Sequence, residues 1–312
     1  MSLALLLAAL PVLYWEHPPD TAAALRLAGI ERVRVPEASA PQWKTAGIDA
    51  VAFSPAEKSE RIALPAPGVV ARADTASATR RPWLDANGWR YLRSPNARYF
   101  EAAPRGAAAL AAAEGFAYGA DLVLAIDPAD LAVLGAALAF LRELPHRELP
   151  GLADIGVVDD GSPLTGEVMN LLARRNLLFR PLARGSNGLP LVVELGTKAY
   201  PQNEAANPDA FALKLRGQLT DERRTLRLYG SEVVLARLTG DASRLRLHLL
   251  NYSGRTIQGL RIRLRGLWTP GEAHVLQHGR LAVETPLAQD AATEFSLPVL
   301  GPYAVVDLTT TK

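Results

Sequence analysis

Between Pro11 and about Leu182 the chain alternates short apolar runs with stretches of helical periodicity. PVLYWE reads as a strand, and PDTAAALRLAGI as a helix that Gly29 ends. ERVRVP is the next strand, SAPQWKTAGI repeats the helix-then-glycine ending, and DAVAFSP is another strand. These runs are apolar on both faces, which is the signature of a parallel sheet covered by helices. Residues 57–85 are less regular and rich in Pro and Gly, with a short strand expected near Val69–Arg72. GWRYLR reads as a further strand, PRGAAALAAAEGFAYG as an Ala-rich helix and DLVLAID as a strand. PADLAVLGAALAFLREL puts Leu131, Leu134, Leu138 and Leu141 on one helical face. DIGVVDD is then a strand and Pro163–Arg175 its helix, and LLFRPL closes the run. The pattern predicts an α/β part that is a (β/α) barrel-like, open doubly wound or flavodoxin-like sheet.

LPLVVELG adds a buried strand and PDAFALKLRGQL an amphipathic helix. From Thr225 the period changes to two. RTLRLYG, EVVLARL, SRLRLHLLNY, GLRIRLRG, AHVLQHGRLAV, TEFSLPVL and YAVVDL are strands parted by turn residues such as Asn251, Gly254, Gly259 and Gly279. This predicts a C-terminal antiparallel β-sandwich. The expected domains are a barrel-like part over 1–150, a flavodoxin-like segment over 151–224 and the sandwich over 225–312. Arg244, Arg246 and His248 alternate with leucines, as do Arg261, Arg263 and Arg265. The simpler reading of these rows is the solvated face of a half-buried sheet. The alternative is a basic strip that meets an anionic polymer.

Composition narrows the chemistry. The chain has 312 residues, 49% hydrophobic, and a net charge of +2, so global charge does not argue for nucleic acid. It has no Cys, which excludes disulfides, thiolate catalysis and cysteine metal sites. Leu3 to Leu10 has the length of a signal-peptide core, yet no Lys or Arg precedes it and no good A-x-A site follows. A buried first element competes with that reading, so a secreted or periplasmic location stays open. The run is too short to span a bilayer.

No dinucleotide glycine motif, phosphate loop, serine-hydrolase elbow or His-Glu-x-x-His is present. His274 and His278 sit in an expected hairpin, where their spacing does not converge on a metal, and no cofactor is called for. Carboxylates at strand ends are the remaining candidates, because catalytic groups of barrels cluster there. Glu16 ends PVLYWE, Asp127 ends DLVLAID, and Asp159 with Asp160 ends DIGVVDD. A glycosidase needs two carboxyl groups on either side of one bond, and Trp15, Trp43, Trp83 and Trp89 offer rings for sugar faces. Asp127 precedes Pro128, the order of a helix cap. Asp160-Gly161-Ser162-Pro163 reads as a turn with Ser162 as cap, which leaves Asp159 the better functional group. Glu16 is followed by His17-Pro18-Pro19, with no helix before Asp20.

The order of parts resembles a family. LRLHLLNYSGRTIQGLRIRLRG, with TEFSLPVLGPYAVVDL, looks like the terminal sandwich of multidomain glycoside hydrolases. DIGVVDDGSPLTGEVMNLLARRNLLFRPL looks like the trimerisation domain of barrel-type β-galactosidases, and NGWRYLRSP and AALAAAEGFAYGADLVL resemble later barrel elements. The resemblance implies carbohydrate as the partner and leaves homo-oligomers open, with no role for nucleic acid or membrane. A catalytic barrel usually takes about 250 residues, more than this strand–helix region holds. Asn203-Glu204, the one match to the family's acid/base pair, follows Pro201 outside it. The family's catalytic residues are therefore not carried over. The reading that results is a glycoside hydrolase-like protein that acts on or binds carbohydrate. Glu16 and Asp159 are its catalytic candidates, and Trp15, Trp89 and Asp127 its substrate-binding candidates. The rival is a non-catalytic structural or carbohydrate-binding protein of the same layout. A convergent acid pair favours the first and a plugged strand-end face the second.

Overall fold

The computed structural model describes residues 10–70, 83–145, 149–184 and 188–310. Residues 3–9 of the signal-like run, and Ala71 and Arg72 of the strand expected there, lie outside the described residues. The chain divides into two compact units, Met1–Pro145 and His146–Lys312.

The first unit carries strands β1 (Val12–Tyr14), β2 (Arg32–Pro36), β3 (Asp49–Phe53), β4 (Ile62–Leu64), β5 (Gly68–Val70), β6 (Trp83–Asp85), β7 (Arg98–Ala102) and β8 (Asp121–Ala125). Apart from the antiparallel β5–β6 pair, they form one parallel sheet in the order β3-β2-β1-β8-β7-β4. Successive strands are neighbours and the last pairs with the first, which is the order of a ring opened between β3 and β4. The aromatic rings show that the sheet curls. Phe53 and Phe100 sit four strands apart, about 19 Å in a flat sheet, yet their ring centroids are 6.2 Å apart. Tyr14 lies between them, at 5.1 Å from Phe53 and 5.9 Å from Phe100.

The opposite face of the sheet is buried under helices. Leu13, Val33, Leu122 and Leu124 line it. Its helices include α1 (Ala22–Leu27), α3 (Gly88–Arg93), α4 (Ala108–Tyr118) and α5 (Leu131–Glu143), while α2 (Pro55–Ser59) follows β3. Small residues let α5 come close to α1: a Cβ on Gly135 would meet the Ala28 carbonyl oxygen at 1.9 Å. The helix expected at SAPQWKTAGI is a 3-10 helix, Glu37–Thr45, with Pro41 inside it, since proline removes an N–H that an α-helix uses. GWRYLR is helix α3, not a strand. Six residues are too few for period to separate the two states. Here the contact decides, because Tyr91 packs with Leu64, Tyr99 and Leu122.

The second unit begins with a parallel layer. Its strands β9 (Ile155–Val158), β10 (Phe179–Leu182) and β11 (Leu191–Val193) run in the order β10-β9-β11. Helices α6 (Pro163–Arg174), α7 (Gln202–Ala205) and α8 (Pro208–Leu219) belong to it. Antiparallel strands follow: β12 (Leu226–Tyr229), β13 (Val234–Gly240), β14 (Arg244–Asn251), β15 (Ile257–Arg265), β16 (Trp268–Val275), β17 (Gly279–Leu281), β18 (Glu284–Gln289), β19 (Ala292–Leu300) and β20 (Tyr303–Thr310). They make a four-stranded sheet, β12-β15-β19-β18, and a five-stranded sheet, β13-β14-β20-β16-β17. One apolar core joins them, with Leu260, Ile262 and Leu264 from the first and Leu245, Leu247 and Leu249 from the second. The fold is thus mixed: a parallel sheet with helices, then antiparallel sheets.

Asn176 ties the parallel layer to β13. Its Nδ2 donates to the Val234 carbonyl at 2.9 Å and its Oδ1 accepts the Ala236 N–H at 2.8 Å. The Asp154 carboxylate accepts from the Thr225 N–H and hydroxyl at 2.9 and 2.5 Å. The expected solvated face of β14 is corrected here. Arg246 and His248 are buried, because β14 is an inner strand covered on both faces. Arg246 makes two bonds to Asp307, at 2.7 and 2.8 Å, and His248 Nδ1 lies 2.6 Å from the Tyr303 hydroxyl. Burial, then the charges of Arg237 and Arg246, push the His248 imidazole well below its ordinary pKa, so it is neutral. The β15 arginines do alternate with buried residues, as a solvated face requires.

Candidate functional site

The concave face of the curled sheet carries Tyr14, Phe53 and Phe100. Helix α2 starts where Ser54 accepts the Glu57 N–H at 3.1 Å, with Pro55 at its first position. That start places Lys58 over the rings: its ammonium is 5.0 Å from the Tyr14 centroid and 4.5 Å from that of Phe100. The Arg34 and Arg61 guanidiniums stand 5.9 and 5.7 Å from the Phe53 ring. Both pair with Glu57 at 3.4 Å. The face is filled by aromatic rings and cations, stabilised by cation–π attraction.

Glu16 stands just past the carboxyl end of β1. It is exposed and lies 3.9 Å from the Lys58 ammonium. The Tyr14 phenol is pushed up to about 12, by burial first and then by its hydrogen bond to Glu16 and that group's charge. The phenol therefore keeps its proton and acts as hydrogen-bond donor toward the Glu16 carboxylate. Tyr14, Glu16 and Lys58 form a polar trio over an aromatic floor, able to accept and donate hydrogen bonds to a hydroxylated ligand.

The other sequence candidates have definite places. Trp15 is 3% exposed and its indole N–H donates to the Thr21 hydroxyl at 2.8 Å, so the ring is core. Trp89 is half-buried on α3, and the Arg90 guanidinium lies 4.4 Å from its ring centroid. Asp127 accepts the Ala129 N–H at 2.8 Å and caps the turn that begins at Pro128. Asp159 and Asp160 act alike: each accepts a backbone N–H two residues on, from Gly161 and Ser162, at 2.9 Å. Desolvation opposes ionisation of Asp160, but hydrogen bonds from Thr165 and Ser162 outweigh it and lower its pKa. Ser162 caps α6 by accepting the Thr165 N–H. Glu16 belongs to the first unit and Asp159 to the second.

A carboxylate pair that the sequence reading missed lies on the helix-covered side of the sheet. Glu101 of β7 and Glu114 of α4 are both fully buried. Glu114 Oε1 accepts the N–H groups of Asn87 and Gly88, at 2.6 and 2.9 Å, and so holds the start of α3. Asn87 Nδ2 donates to the Pro65 carbonyl at 2.9 Å and reaches Glu101 Oε2 at 3.4 Å. Burial, then the charge of Glu114, push Glu101 up to about 9, against the Asn87 hydrogen bond. Glu101 is therefore protonated at neutral pH. The signal was present in the sequence, as acids inside RYFEA and inside an Ala-rich helix, where pattern calls for apolar side chains. With no exposed surface the pair is not open to a substrate.

No protein-family model matches the chain, and no curated protein matches its sequence. Among solved structures, it is similar to α-L-fucosidase isoenzyme 2 from Paenibacillus thiaminolyticus, with a TM-score of 0.55 and 11% identity. That match covers 88% of this chain and 71% of the fucosidase. A GH42 β-galactosidase from G. stearothermophilus matches at a TM-score of 0.37 and 9% identity, over 96% of this chain and 59% of that one. A rhamnosidase from Novosphingobium sp. PP1Y matches at 0.44 and 10%, over 88% of this chain and 38% of the enzyme. At 11% identity the likeness to the fucosidase is one of fold. Among the described residues no helix is long and apolar enough to cross a membrane.

Proposed function

We propose that this chain is a glycoside hydrolase-like protein that binds carbohydrate at the carboxyl ends of its first-unit strands. Its architecture is an incomplete (β/α) barrel, a flavodoxin-like layer and a β-sandwich. The observation that carries the reading is the polar trio of Tyr14, Glu16 and Lys58 over the Tyr14, Phe53 and Phe100 rings. Sugars present hydroxyls and C–H faces, which that combination of groups matches.

The same face favours the non-catalytic class. Glycosidases need an acid kept protonated and a second free carboxylate about 5 to 10 Å away. Here Glu16 is exposed beside an ammonium, Glu57 is held by Arg34 and Arg61, and Asp127 is engaged as a cap. Glu101, the acid with a raised pKa, points into the helix layer. In the catalytic alternative Glu16 and Asp159 are the acid pair, and the Asp159 bond to the Gly161 N–H speaks against it.

The test is titration calorimetry with neutral oligosaccharides, chosen by a glycan array, beside an assay with chromogenic glycosides. Binding that weakens at least tenfold in Glu16→Gln and Tyr14→Phe, without turnover, supports the proposal. Turnover that is lost in both Glu16→Gln and Asp159→Asn would overturn the non-catalytic reading.

A further inference from the structure

The outer face of the four-stranded sheet of the sandwich carries a row of guanidiniums around one exposed aromatic ring. Residues two apart on a strand share a face and lie about 7 Å apart. Arg261, Arg263 and Arg265 of β15 therefore stand in line, opposite the buried Leu260, Ile262 and Leu264. The antiparallel register sets Tyr229 of β12 across from Arg261, and Arg227 across from Arg263. Tyr229 is 38% exposed. The guanidiniums of Arg227 and Arg261 lie 5.8 and 5.7 Å from its ring centroid.

These arginines already grip carboxylates. Arg261 and Arg263 share the single carboxylate of Glu294, the latter at 3.2 Å, and Arg227 reaches Asp221 at 3.6 Å. A guanidinium has five N–H donors in a planar fork that matches a carboxylate, so one shared carboxylate leaves donors on both. The Arg261 side chain is 60% exposed, and Arg265 is exposed as well. The ring offers a face to a sugar's C–H groups while the forks meet its acid groups.

We propose that this sheet face binds a polyuronate, a polysaccharide that carries a carboxylate on its sugar units. The inference rests on the carbohydrate reading above but uses a separate surface. The charge pattern favours it over nucleic acid. The chain's net charge is +2, which lacks the broad basic field that a phosphate backbone rewards, whereas the local row is complementary to spaced carboxylates.

Affinity electrophoresis of the full chain tests this, in gels that contain polygalacturonate, dextran, dextran sulfate or a single-stranded oligonucleotide. Retardation by polygalacturonate alone is expected, with at least tenfold weaker binding in Arg261→Gln/Arg265→Gln and in Tyr229→Ala. Tyr229→Phe keeps the ring and should keep binding, which separates loss of the platform from loss of the fold. Should the double arginine variant fail to fold, the two tyrosine variants decide alone. No retardation by polygalacturonate overturns the proposal, as does equal or tighter binding of dextran sulfate or oligonucleotide, or retardation that none of the substitutions changes. Neutral-sugar binding that responds to Glu16→Gln and not to these variants separates the two sites, so either reading can fail alone.

Discussion

Glu101→Gln isolates one proton in the core of the first unit. Glu101 is fully buried, and its ordinary value of 4.5 is raised to about 9 by burial and by Glu114. The groups that act on it are the Glu114 carboxyl of α4, the Asn87 amide and, by mutual repulsion, the Tyr91 phenol of α3. A folded-state pKa above the unfolded one means that the native state holds the proton more tightly. Its stabilising effect is complete below the unfolded pKa of about 4.5 and is lost as pH rises toward about 9. Between those limits the slope approaches about 1.4 kcal/mol per pH unit. From pH 5 to pH 8 this one group lowers stability by roughly 4 kcal/mol. Glutamine copies the shape of the neutral acid and cannot ionise. At pH 5 the variant should unfold close to the wild type. At pH 8 it should be the more stable by roughly 4 kcal/mol, about 8 to 16 °C in melting temperature for a unit of this size. Thermal melts followed by circular dichroism at pH 5, 6, 7 and 8 read the difference. Curves for the two proteins that stay parallel across that range would refute the reasoning, since they would mean that Glu101 ionises without cost.

Glu114→Ala leaves the Asn87 and Gly88 N–H groups without their side-chain acceptor and should cost about 1 to 3 kcal/mol; a urea midpoint that does not move would contradict this. Asn176→Ala leaves the Val234 carbonyl and the Ala236 N–H without their side-chain partner and should cost about 2 kcal/mol, seen as a lower unfolding midpoint of the second unit. Asp127→Ala removes a cap bond and should cost about 1 kcal/mol with carbohydrate binding unchanged; lost binding at an unchanged melting temperature would show that the residue serves the ligand. Gly135→Ala drives a methyl group against the Ala28 carbonyl and should cost about 1 to 3 kcal/mol or more, read by thermal melting.

Local pattern alone determined much of this protein. Period-two alternation after Thr225 fixes which residues face the sandwich core, because a strand's side chains alternate whatever its partners are. Runs such as DLVLAID declare a strand buried on both sides, and Asp127-Pro128 and Ser162-Pro163 declare helix starts, because caps act through bonds only two or three residues long. Tertiary structure decided the rest. GWRYLR became a helix because Tyr91 found its core partners on β4, β7 and β8. Arg246 and His248 were buried because their strand lies inside a sheet, which no local period reveals. The trio at the β1 end and the Glu101–Glu114 pair exist only through sheet curvature and helix packing. The first joins residues of β1 and α2 over the Phe100 ring of β7, and the second joins residues from a strand, a helix and the loop at Asn87. Such groups meet because the chain returns to the same place, and where it returns is set by the summed packing of the whole unit rather than by any stretch of its sequence.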